Sequence, residues 1–444
     1  MDKLFNRVTN RSKGWIDRSK YYYSIILLSH THYYCLITPK NQVEGFSKVV
    51  RFGGVRYQSV SLLNANQPAT YPAMSSIDMM KSRLTNDPIS VGVRLFHGGL
   101  VSLLLCVVGC GSTAVDQPAP QPVAATLREK MPFPIGAALN PNLLTGNAAY
   151  RQLASQEFNS ITAENHLKMG TVHPAQDRYD WTGSDILLNF AEQNKQRMHG
   201  HTLIWHQSLP AWVTNFQGDS LAWEAMFKSH IQTVVSHYKD RLASFDVVNE
   251  AFVDDGTLRP SVWLTHLGPD YVARAFTYAR QANPTVKLFY NEYGHEYSPK
   301  RLAATVALAT DFKRRGIPID GLGLQMHTNI GQTDANIQNA IQQVAATGLL
   351  IHISELDVRV NQAKVANYVL TAADSQAQRQ KFAAIVRAYR TLVPKAQQHG
   401  ITTWNLGDGD SWIPSNCSCQ DFPLPFDKQY AKKPAYDGIL DGLN

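Results

Sequence analysis

The sequence predicts an α/β protein: a closed (β/α)8 barrel preceded by a non-globular N-terminal region. Three observations carry that prediction. From residue 128 onward, short β-rich runs alternate with longer stretches of period 3.6, the pattern of a parallel sheet wound with helices. The runs number eight, the count that closes a barrel. Nearly all of them end in polar or aromatic side chains, and in such a barrel the C-terminal ends of the strands form the active face.

In chain order the strands are FPIGAAL (133–139), FNSITAEN (158–165), RMHGHTLIW (197–205), SFDVVNEA (244–251), KLFYNEY (287–293), GLGLQMH (321–327), LLIHISELDV (349–358) and ITTWNL (401–406). Two of the intervening helices are well marked. Residues 219–239 offer Asp219 and Ser220 as caps, and 375–393 place Phe382, Ile385, Val386 and Tyr389 on one face at i, i+3, i+4, i+7 spacing. The strand ends then display Glu164 and Asn165, His201 to Trp205, Asn249 and Glu250, Asn291 to Tyr293, Gln325 with His327, Glu355 with Asp357, and Trp404. A purely structural barrel gains nothing from this concentration, because a buried carboxylate without a partner costs stability.

Charge narrows the ligand. The net charge of +7 lies wholly in residues 1–109, with 13 Lys/Arg against 5 Asp/Glu, leaving 29 against 30 in the remainder. A neutral domain has no clustered cations with which to displace counterions, so nucleic acid is excluded and a neutral ligand fits. No C-x-x-C pair occurs among the five cysteines. Cys417 and Cys419 flank a single Ser in a loop, where a local bridge, a metal contact and plain thiols all remain open.

The segment 79–112, MMKSRLTNDPISVGVRLFHGGLVSLLLCVVGCGS, has Lys81, Arg83 and Arg94 ahead of an apolar run that ends at Cys110. The run from Gly99 to Gly109 is shorter than the ~20 residues a spanning helix needs. It reads as a lipoprotein signal over 79–109, with the Cys110 thiol lipidated and the chain exported, anchored to the bacterial outer membrane or secreted. Residues 110–126 then form a Pro/Ala-rich tether, and the folded domain runs over 127–444. Because export signals open a chain, residues 1–78 are expected to be a mispredicted start or disordered; 1–73 show no sustained period.

Two carboxylates facing one another across a barrel mouth can cleave an acetal, one protonating the leaving oxygen while the other attacks. Glu250 and Glu355, 105 residues or about three βα units apart, are the candidates. The motifs FNSITAEN, GHTLIWH, DVVNEA, DDGTLRPSVW, GLGLQMH, SELDV and the pair TTW and DSW resemble glycoside hydrolase family ten, the endo-β-1,4-xylanases. The resemblance runs from about residue 130 to FDKQYAKKPAY at 426–436. It implies a retaining hydrolase of xylan with Glu250 as acid/base and Glu355 as nucleophile. His327 would stand beside that nucleophile, with Asp357 on its other nitrogen. Asn249 and Gln325 would meet the sugar 2-hydroxyl, and Glu164, Asn165, Lys168, His201 and Trp205 the non-reducing side. Trp404 and Trp412 would wall the reacting sugar. No metal or other cofactor is implied, since GLG at 321–323 lacks the spacing of a dinucleotide turn. The partner is xylan or its oligosaccharides, and the enzyme is expected as a monomer.

The sequence departs from the family pattern at three places. Gln207-Ser208 reverses the usual Ser-Gln, which removes a sugar-contacting amide and weakens a distal subsite. Met169 stands for the common Trp and Asn405 for the common Gly, positions that tune. Two rival readings, a sister β-1,4-glycanase specificity and a non-catalytic carbohydrate-binding lipoprotein, share the same cleft.

Overall fold

In a computed structural model, the described residues are 125–444 together with three strands nearer the N-terminus: β1 (Tyr21–Ser29), β2 (His32–Pro39) and β3 (Lys48–Phe52). These three form an antiparallel meander in order β1-β2-β3, within a segment where the sequence shows no sustained period. The signal segment 79–109 and Cys110 lie outside the described residues, as does the tether up to residue 124. Among the described residues no helix is long and apolar enough to cross a membrane.

The unit containing residues 125–444 is the expected barrel. Its strands are β4 (Ile135–Leu139), β5 (Ser160–Ala163), β6 (Arg197–Gly200), β7 (Ser244–Asn249), β8 (Lys287–Glu292), β9 (Gly321–Leu324), β11 (Leu350–Arg359) and β12 (Gln398–Thr403). Each pairs in parallel with the next, and closure comes from β9 against β11 and β12 against β4. A ninth strand, β10 (His327–Asn329), pairs with the end of β11, so that His327 lies level with Asp357. The sixth predicted run therefore splits, because Met326 takes a left-handed backbone (φ 59°) between its halves. The last strand starts three residues earlier than its apolar run suggests, through Gln398, His399 and Gly400.

The helices form where the apolar period placed them. Ser220–Tyr238 is capped by Asp219, whose side chain accepts from the Ala222 N–H at 2.8 Å. Ala372–Leu392 opens with a reciprocal cap between Thr371 and Asp374 and buries Phe382, Ile385, Val386 and Tyr389 completely. Cys417 and Cys419 are joined in a disulfide, which decides among the three readings of that loop.

Candidate active site

The cleft begins where β7 ends. Asn249 closes the strand and Glu250 turns sharply out of it with φ 57°, a left-handed conformation that an L-residue adopts only when its surroundings impose it. Several bonds do so. The Glu250 N–H donates to the Asn291 carbonyl at 2.9 Å, and Arg259 Nε donates to the Glu250 carbonyl at 3.0 Å. The next two amides donate to Tyr290 Oη and to Glu292 Oε2, both at 3.1 Å. The turn lifts the Glu250 carboxyl into the cleft, its side chain 14% exposed. Arg259, Tyr290 and Glu292 are thus part of the site, although the sequence assigned none of them a role.

The groups that hydrogen-bond the Glu250 carboxyl are neutral. Trp205 Nε1 donates to Oε2 at 3.0 Å and Gln325 Nε2 to Oε1 at 3.0 Å. His206 stands 3.9 Å away, its imidazole lowered to about 4 by burial and by the Arg259 charge. Trp205, expected on the non-reducing side of the cleft, also bonds the carboxyl directly.

Glu355, 4% exposed on β11, has the opposite company. Asn291 Nδ2 donates to Oε1 at 2.7 Å, His327 Nε2 lies 3.2 Å from Oε2, and His201 Nδ1 lies 3.9 Å from Oε1. Burial alone would raise this carboxyl, but His201, His327 and Lys168 together hold it below the ordinary carboxylate range. His327 is in turn raised to about 10. Burial opposes its charge, and Asp357, whose Oδ2 is 2.7 Å from Nδ1, outweighs burial together with Glu355. Trp412 Nε1 donates to the same Asp357 oxygen at 3.0 Å, and Asn405, left-handed at φ 81°, accepts from the Trp412 N–H at 3.2 Å.

One unbroken set of hydrogen bonds joins the two acids. Gln325 Nε2 bonds both Glu250 Oε1 and Asn249 Oδ1, and Asn291 Nδ2 bonds both Asn249 Oδ1 and Glu355 Oε1. Ser354 Oγ donates to Asn291 Oδ1 at 2.7 Å and fixes the amide's orientation. Room for this amide is made by glycine: a Cβ on Gly323 would fall 2.1 Å from Asn291 Oδ1. GLG at 321–323 is thus a packing requirement of the site. Asn291 is the central group that sequence reasoning assigned no role.

The remaining predicted residues line one side of the same cleft. Lys168 Nζ donates to Asn165 Oδ1 at 2.8 Å and lies 5.0 Å from the Trp205 ring and 5.5 Å from that of Trp404. Burial lowers Lys168, against the pull of Glu355, Glu164 and Glu250. His201 meets Trp404 edge to face at 5.1 Å. Glu164 follows β5 and, behind burial, helps raise Asp410 to about 6. A wall of rings with a few fixed polar groups suits a pyranose, whose faces are C–H and whose rim is hydroxyl.

The model of glycosyl hydrolase family 10 matches residues 124–442. The chain is 37% identical over 347 residues to endo-1,4-beta-xylanase A of Cellvibrio japonicus, covering 70% of this chain and 55% of that protein. It is 34% identical to the endo-1,4-beta-xylanase of Agaricus bisporus, covering 68% of this chain and 88% of the relative. Among solved structures, a xylanase10C mutant from Cellvibrio japonicus in complex with xylopentaose aligns with TM-score 0.69 at 35% identity, covering 72% of this chain and 69% of that one.

Proposed function

This chain belongs to glycosyl hydrolase family 10, and we propose that it is a retaining endo-1,4-β-xylanase with Glu250 as acid/base and Glu355 as nucleophile. The observation that carries the assignment is the contrast in charge around two acids joined by one hydrogen-bonded set. In the first step a Glu355 oxygen bonds to the anomeric carbon while the Glu250 proton passes to the departing glycosidic oxygen. A glycosyl ester forms on Glu355 and its negative charge is consumed. Glu250, now an anion, takes a proton from water, whose oxygen displaces the ester and restores both acids. Retention of configuration follows from the two inversions and asks for carboxyl groups about 5–5.5 Å apart. Asn249, pinned by Gln325 and Asn291, meets the sugar 2-hydroxyl.

The xylopentaose bound by the Cellvibrio protein supports xylo-oligosaccharides as the substrate class. Proton NMR of the first products from xylan decides the stereochemistry: β-anomers appearing first are expected, and α-anomers appearing first would overturn the assignment. Faster turnover on barley β-glucan than on xylan would favour the sister specificity instead.

The protein is also proposed to be exported and held at a membrane by a lipid on Cys110. The support is the basic cluster Lys81, Arg83 and Arg94, the short apolar run, and the Pro/Ala-rich stretch that follows. Mass spectrometry of the native N-terminus should find a diacylated Cys110; a free, earlier N-terminus rules the anchor out.

A further inference from the structure

The barrel interior holds a second polar cluster that the proposed chemistry does not use: His199 on β6, His352 on β11 and His399 on β12. They are 2%, 1% and 7% exposed. Barrel interiors are ordinarily filled by branched apolar side chains, so three imidazoles here call for a reason. One nitrogen from each lies within 4.8 Å of one from each of the others.

The bonding around them is one-sided. Each ring spends one nitrogen on a hydroxyl: His199 Nδ1 on Ser244 Oγ at 2.6 Å, His399 Nε2 on the same oxygen at 3.0 Å, and His352 Nε2 on Thr402 Oγ1 at 2.8 Å. The opposite nitrogens of His199 and His352, Nε2 and Nδ1, have no hydrogen-bond partner among the described residues. His199 Nε2 lies 3.0 Å from Asp246 Oδ2, an ion-pair contact that, against the pull of burial, helps hold Asp246 below the ordinary carboxylate range, and the other oxygen, Asp246 Oδ1, has no hydrogen-bond partner among the described residues. An unmatched nitrogen on a buried ring, with two further imidazoles in reach, is what a cation satisfies.

We propose that His199, His352 and His399 form a buried site for a divalent transition metal, zinc being the ion that fits. Three imidazoles suit a borderline ion that keeps a fourth position for water, whereas calcium and magnesium take oxygen donors. The hydroxyls act as the outer shell: by accepting the N–H of each ring they fix the tautomer that turns a lone pair inward. Zinc–nitrogen bonds of about 2.0–2.1 Å place tetrahedral ligand atoms about 3.4 Å apart, so the rings close by roughly an ångström or less as the ion enters. The site ties β6, β11 and β12 together. It also adjoins the cleft, because Asp246 Oδ2 lies 3.0 Å from His199 Nε2 and 2.8 Å from His201 Nδ1.

The test uses the full chain, stripped with a chelator and titrated with zinc sulfate against a chromogenic zinc indicator, and separately with cobalt chloride. The expected result is one ion per chain, the intense visible absorption of tetrahedral cobalt, and a higher Tm with zinc. His352→Gln and His399→Asn should each weaken zinc binding by about 100-fold or more and abolish the cobalt band. Ser244→Ala, which removes the acceptor for two rings, should weaken it by about 10–100-fold. Zinc uptake well below one per chain, or uptake that survives both histidine variants, overturns the proposal. Should a variant fail to fold, the wild-type cobalt spectrum decides alone: the weak absorption of octahedral cobalt overturns it.

Discussion

Glu250 and Glu355 share one cleft and one set of hydrogen bonds, yet their surroundings differ in kind. Glu355 is buried among cationic or potentially cationic groups, His201, His327 and Lys168, which keep it ionised against the cost of burial. Glu250 stands on a left-handed turn, partly open to the cleft, and meets an indole, an amide and a neutral imidazole. Two identical side chains are thereby given opposite tasks by their neighbours, the general way in which a pair of acids divides into proton donor and nucleophile. What the comparison teaches is that the role is set less by the glutamate than by the charge on the groups that touch it.

Removing each acid in turn tests this most severely. Glu355→Ala should lower kcat on xylan by about 10^4-fold or more, since no covalent intermediate can form. Glu250→Ala should cost as much on xylan but far less on an aryl xylobioside whose leaving group needs no proton. Loss of the aryl substrate to the same degree would mean the two roles are not divided as argued.

A smaller effect is expected from His327→Gln, which removes a cation beside Glu355 and leaves Glu250 untouched. Its acid limb in kcat/KM should move to higher pH, with kcat down by about 10–100-fold, because Glu355 then takes up its proton more readily. The wild type should show the linked effect on stability. His327 is raised from near 6.5 to about 10, so the stabilisation it brings is whole below pH 6.5 and is lost as pH rises through about 10. Thermal unfolding should show Tm falling over that window in the wild type and falling less in His327→Gln.

Much of this was legible in the sequence, and the rest was hidden for identifiable reasons. The eight strands could be read because nearly all of them are apolar runs ending in a group displayed at the mouth, as Val247-Val248-Asn249-Glu250 shows. Glu250, Glu355, His327 and Asp357 follow from such positions. Asn291 was hidden because an asparagine at a strand end is commonplace, and its importance depends on Gly323 leaving room for it. Arg259 acts through backbone carbonyls, which no side-chain pattern announces. Asp246 was in plain view as an acid inside the apolar run of β7, but its partners His199 and His201 lie on a different strand and just beyond that strand's end.

The smallest predicted effect concerns the Glu250 side and sharpens the comparison there. Gln207 turns its amide to His206, with Nε2 3.2 Å from the ring nitrogen, and His206 is itself 3.9 Å from Glu250. Ser208 takes a left-handed backbone at φ 51°, and its carbonyl accepts from the Gly170 N–H at 2.6 Å. The pair is thus held by its backbone, so exchanging the side chains as Q207S together with S208Q should leave the turn in place. That exchange returns an amide to the position where the family carries it. One recovered hydrogen bond to a distal sugar is worth about 0.5–1.5 kcal/mol, a KM for xylotriose lower by about 2–10-fold with kcat within about twofold. If kcat falls further while KM stays, Gln207 is working through His206 on the acid, and Glu250 is less independent of polar support than its neutral surroundings imply.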